Sequence, residues 1–169
     1  MTGRPVRRGV EPPEWTTSVV IALARQCVAA VLERAKARPL PKRRSDRGER
    51  RWLVSVVKAC GVKLSVVDGL ACGGCYRIAQ REIWIDERVL RNPTGDVAFT
   101  VGHELGHWAW FEILGLPGFE TSPVEHGRCA AEWLPNVFAA LLLRRGPRDA
   151  EWWPEVELRE LADVARSAA

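Results

Sequence analysis

His103-Glu104-Leu105-Gly106-His107 has the residue types and spacing to hold a metal ion and use it. On an α-helix, residues four apart share a face, so the two imidazoles can bind one tetrahedral ion. Glu104 projects at a different angle, where it can take a proton from a metal-activated water. The chain has only three histidines, and this pentapeptide holds two of them. The chemistry expected is metal-assisted hydrolysis, most simply of a peptide bond, with one Zn2+ per chain and Glu104 as general base. The competing reading is a helix with two satisfied core histidines.

A catalytic zinc needs a third protein ligand and one position left for water. A further Gly and His, three and six residues after His107, would supply one, but Trp110 and Ile113 stand there. An acidic residue on a following helix is the remaining route. Ser122-Pro123-Val124-Glu125 has the form of a capping box, which gives Glu125 a structural task. Glu132 lies 25 positions after His107, with Asn136 one turn further on the same face. Glu132 is therefore the expected third ligand, ahead of Glu125, Glu120 and His126, and Asn136 is expected to orient a ligand from behind. Tyr76, the only tyrosine, and His126 are the candidates to stabilise an oxyanion.

Two stretches also carry a resemblance. Thr100-Val101-Gly102-His103-Glu104-Leu105-Gly106-His107, followed by Glu132-Trp133-Leu134-Pro135-Asn136-Val137-Phe138-Ala139-Ala140-Leu141-Leu142, resembles the ImmA/IrrE-like metallopeptidases over roughly residues 50–145. The preceding Ile83-Trp84-Ile85-Asp86 looks like that family's approach to its active helix. The resemblance implies a cytoplasmic zinc endopeptidase of gluzincin-like type, often carried by phages or mobile elements. Its substrate would be a repressor-type regulatory protein. By position, His103, His107 and Glu132 match the family's zinc ligands and Glu104 its base. Pro135 departs from the pattern, standing where the family usually has Ala. Within a helix it removes a hydrogen bond and crowds the carbonyl of Ala131, so a bend or a new helix is expected beside Glu132.

The elements that must position these residues are read as α+β: a mostly helical, zincin-like core, with an active-site helix and a glutamate helix, plus a small antiparallel hairpin. Residues 1–14 read as disordered, 15–38 as an N-terminal helix, 39–51 as a basic linker and 52–169 as the metallopeptidase domain. Trp15–Ala37 forms the first helix, rich in small residues (Ala22, Ala24, Ala29, Ala30) suited to close packing. Arg50–Ala59 forms the second, with Leu53, Val56 and Val57 inward and Gly61 at its end. Val62–Val67 and Tyr76–Asp86 read as strands, with Ile83 and Ile85 on one face and Trp84 on the other. Cys72-Gly73-Gly74-Cys75 between them reads as a tight glycine turn with incidental thiols, a second metal there being the lesser alternative. Asn92-Pro93 is the expected start of the active-site helix. That helix is apolar on most sides and so should be central and buried, ending at Gly115 and Pro117. Asp149–Ala165 reads as a terminal helix after the Trp152-Trp153 pair.

Composition fits this reading. The chain has 169 residues, 47% hydrophobic and 27% charged, as expected of an ordinary globular protein. Five scattered cysteines suggest no disulfide framework and point to a reducing cytoplasm. No stretch approaches the ~18 apolar residues that a membrane span needs, so no membrane is expected. The net charge of +4 is unevenly placed: residues 1–51 carry 13 Lys/Arg against 5 Asp/Glu (+8), residues 52–169 carry 12 against 16 (−4). The basic stretch 36–51 suggests nucleic acid or an acidic partner, behind a plain solvated linker; it lacks interleaved aromatics for base stacking. The alternative to an enzyme is a catalytically silent zincin-like module, such as a toxin–antitoxin or repressor partner. An intact Glu104 speaks against it, since a structural metal site needs no base.

Overall fold

Helix α1 (Thr17–Arg34) opens the part of the chain that the computed structural model describes, residues 17–41, 45–92, 96–115 and 130–144. Val20, Ala24, Cys27 and Val31 recur at helical spacing and are all buried. Ala24 is the one fully buried residue of the four alanines expected to pack closely; Ala22 and Ala29 face outward. The helix closes with Lys36 in the left-handed region (φ 49), and the Ala37 N–H returns to the Leu32 carbonyl.

Helix α2 (Asp46–Ala59) starts four residues before the expected Arg50, so part of the segment read as linker is helical. The cause is Ser45, whose hydroxyl accepts from the Gly48 N–H at 3.1 Å and caps the first turn. Leu53, Val56 and Val57 point inward as expected, and Gly61 (φ 73) follows the last turn.

Three strands follow: β1 (Lys63–Val67), β2 (Gly74–Arg77) and β3 (Glu82–Asp86), in the order β1-β3-β2. The sheet is mixed and not the antiparallel hairpin expected: β3 pairs antiparallel with β2 and parallel with β1. The run 76–86, expected as one strand, is two. Arg81 adopts a left-handed conformation (φ 51) and its N–H bonds the Ile78 carbonyl, folding the chain back on itself. Ile83 and Ile85 are buried on one face of β3. Trp84 lies on the other, with the Arg77 guanidinium 4.7 Å over its ring.

Helix α3 (Glu87–Arg91) then intervenes, capped by Asp86 and ended by Asn92. Asn92 is thus a C-cap, not the expected opening of the next helix. Helix α4 (Val97–Glu112) is capped instead by Asp96, which accepts from the Phe99 N–H at 3.0 Å. Ile113 caps its end, and Gly115 follows with φ 66. Helix α5 (Ala130–Leu142) includes Pro135.

The molecule is α+β, mostly helical with a small mixed sheet. α4 is central: it packs most extensively on α5, while β2, β3 and α2 cover its other sides and α1 lies along α5. Leu105, Trp108 and Ala109 of α4 are fully buried. Among the described residues, no helix is long and apolar enough to cross a membrane. The expected capping box at 122–125, the Trp152-Trp153 pair and the terminal helix lie outside the described residues, as do Pro93 and Pro117.

Candidate metal centre

Glycine decides how closely α4 can be approached. A Cβ on Gly106 would lie 2.7 Å from the Pro135 Cα, and one on Gly102 would lie 3.3 Å from the Ala139 Cβ. These glycines, four apart, form a flat seam into which α5 settles. Pro135 is therefore not an interruption beside the site but the part of α5 that presses on Gly106. Its missing N–H leaves the Ala131 carbonyl without an intrahelical donor, yet the helix continues through it from Ala130 to Leu142.

This seam brings Glu132, one turn before Asn136, against the two histidines. Glu132 Oε2 is 3.0 Å from His103 Nε2, Glu132 Oε1 is 3.5 Å from His107 Nε2, and the two Nε2 atoms are 3.1 Å apart. Among the described residues, these three are the only group able to converge on a metal ion. Bonds of about 2.0–2.1 Å at tetrahedral angles place neighbouring donor atoms about 3.3–3.4 Å apart. The triangle already has nearly that size. Moreover, Glu132 Oε1 is buried and accepts no hydrogen bond. An orphaned carboxylate oxygen facing two imidazole nitrogens is what a cation would satisfy.

Asn136 fixes the chemistry of the first histidine. Its Oδ1 can only accept, so His103 Nδ1–H donates to it, at 2.9 Å. A neutral His103 then presents its Nε2 lone pair to the shared space, as a metal ligand must. In the metal-free protein, burial works against charge on His103. The Glu132 and Glu104 carboxylates outweigh it and hold its pKa up at about 9. Burial works against charge on Glu132 as well, yet the two histidine rings facing it hold its carboxyl far below the usual range.

Glu104 is buried on α4 and is no part of the triangle. What lies against it is β2: a Cβ on Gly74 would be 3.1 Å from both Glu104 Cγ and Oε1, and 3.0 Å from Thr100 Cγ2. The absence of a side chain at Gly74 lets the strand lie on the carboxylate. The Asp86 N–H bonds the Gly73 carbonyl, so Gly73, Cys75 and Arg77 turn their main-chain groups toward β3. Those of Gly74 and Tyr76 face the outer edge, where the Cys72 thiol donates to the Gly74 carbonyl at 2.8 Å. Burial, and then Glu104, push both thiols up, Cys75 to about 11.

Tyr76 stands on β2, and the charged groups acting on it are not those of the triangle. Burial raises its phenol to about 12, and the charges acting on it are Glu112, two turns further along α4 than Glu104, and Arg81 in the turn before β3. Its buried hydroxyl has no hydrogen-bond partner. His126, Glu120 and Glu125 lie outside the described residues. Sequence reasoning singled out His103, His107, Glu104, Glu132 and Asn136, which the fold places together. It missed Gly74, Gly102 and Gly106. The Gly-x-x-x-Gly spacing within the motif was the available signal for the last two. No protein family, curated protein or solved structure matches this chain.

Proposed function

We propose that this protein is a zinc-dependent endopeptidase with a zincin-like core, acting in the cytoplasm on a repressor-type regulatory protein. The observation that carries the reading is the near-tetrahedral triangle of His103, His107 and Glu132, with a buried carboxylate beside it that is not a ligand. A structural metal site would leave Glu104 without a task.

A Zn2+ ion held by these three side chains would supply Lewis acidity for water and for the scissile carbonyl. The remaining work falls to the protein. Glu104 accepts a proton from the attacking water on its carboxylate and passes it to the leaving nitrogen. Asn136 keeps His103 in the tautomer that binds through Nε2. The outer edge of β2 pairs with no strand among the described residues, and the face of that strand lies on Glu104 at Gly74. An extended peptide can add to such an edge, which brings its carbonyls past the carboxylate.

The test is Glu104→Gln. Zinc content by elemental analysis should stay at one per chain, while cleavage of a regulator encoded beside the gene falls by about 10²–10⁴-fold. Retention of cleavage by this variant, or failure of the wild type to cut any such regulator, would sink the enzyme reading.

A further inference from the structure

A second feature lies away from the metal triangle, on the outer face of α2. At 100° per residue, Arg47, Arg51, Val54 and Lys58 fall within about 60° of arc and form a rail about 16 Å long. All four are exposed, Val54 by 41%. Among the described residues no carboxylate pairs with Arg47, Arg51 or Lys58. Beside the rail is a hollow of about 330 Å³ lined by Lys36, Arg38, Pro39, Pro41, Trp52 and Ser55, among others. The Trp52 indole N–H donates to the Arg38 carbonyl at 3.1 Å, which fixes the ring as an apolar wall.

Helix stability does not explain this arrangement. Arg47 lies in the first turn of α2, where the helix dipole disfavours positive charge, and Arg50 and Arg51 follow in the second. Of the two acidic residues in the first turn Glu49 is buried, which leaves Asp46 alone among three arginines. By sequence the chain beyond residue 51 is net acidic (−4), against +8 over residues 1–51.

We propose that this face docks an acidic segment of a protein partner, with carboxylates along the Arg47–Lys58 rail and one apolar side chain in the Trp52 hollow. A peptide fits better than a nucleic acid. One aromatic wall, its N–H already bonded, offers no platform for successive bases, whereas an apolar hollow with a cationic rim matches an acidic segment with an apolar anchor. The site stands whether or not the chain hydrolyses anything.

The test is fluorescence anisotropy of the full chain with a short labelled peptide alternating glutamate and leucine. Its Gln-for-Glu counterpart and an oligothymidylate of matched charge serve as comparators. The acidic peptide should bind at least about tenfold tighter than either, and more weakly as salt rises. Arg47→Glu with Arg51→Glu should weaken it by about tenfold or more; the new charges suit the helix N-terminus, so folding is spared. Ser55→Tyr, which narrows the hollow without changing charge, should weaken it too. Tighter binding of the oligonucleotide, no binding of the peptide, or equal binding by the variants would each overturn the proposal. So would sedimentation showing that the rail is instead covered by a second copy of the chain.

Discussion

α4 carries two seams with different tasks. On the α5 side, Gly102 and Gly106 admit Ala139 and Pro135, and the approach delivers Glu132 and Asn136 to the histidines. On the β2 side, Gly74 admits the strand to the back of Glu104. The first seam assembles the donor triangle; the second fixes Glu104, the base of the proposed reaction, against β2. Both depend on a missing side chain, but the tolerances differ. A Cβ on Gly106 would meet Pro135 backbone at 2.7 Å, which can yield only if a helix moves. A Cβ on Gly74 would meet side-chain atoms at 3.0–3.1 Å, which can shift. Metal capture and catalysis should therefore be separable by mutation.

The largest effect is expected from Gly106→Ala. Forcing α5 away should cost about 1–3 kcal/mol of stability and open the triangle, so zinc content and cleavage fall together. Thermal melts and elemental analysis would read both. A variant that kept full zinc would show that α5 does not depend on this contact.

Gly74→Ala probes the other seam. A displacement of Glu104 by even a fraction of an ångström should lower the cleavage rate, up to the ~10²-fold that a 1 Å misplacement can cost, with zinc content unchanged. Loss of zinc in this variant would mean that the two seams are mechanically one.

How much of this was legible beforehand follows from the range of each interaction. The motif, its burial and the placement of Glu132 and Asn136 could be read because each lies on one helix with a 3.6-residue period. The start of α4 was misplaced because Asn92 and Asp96, four apart, are both cap residues, and Asn92 closes the short helix α3 instead of opening α4. The parallel pairing of β1 with β3 escaped because a strand's partner is not written in its own alternation. Pro135 looked like a fault in α5 when read alone. Only the fold shows that it faces Gly106.

Asn136→Ala sharpens the account of the α5 seam. Without an acceptor at Nδ1, His103 is no longer held with its Nε2 lone pair inward, and zinc affinity should fall by about 10–100-fold. Competition with a chelator would measure it. Asn136→Asp, which keeps an acceptor, should restore most of the affinity.

The smallest effect is a pH dependence confined to that same seam. In metal-free protein, His103 and Glu132 form a buried ion pair. The His103 pKa is raised from 6.5 to about 9, so its contribution is fully present below about 6.5 and is lost as pH rises through about 9. The Glu132 pKa is lowered, so its contribution is present above the ordinary carboxylate value of 4.5 and is lost as pH falls through the depressed one. Between those limits the melting temperature in chelator should be highest near pH 5–6.5 and decline toward pH 9. Zinc binding must displace the His103 proton, so affinity should rise across the same interval and level off above about 9. Gly74→Ala should move these curves only slightly, through the small displacement of the Glu104 charge, whereas Gly106→Ala should flatten them. Curves that shift with Gly74 and not with Gly106 would reverse the assignment of the two seams.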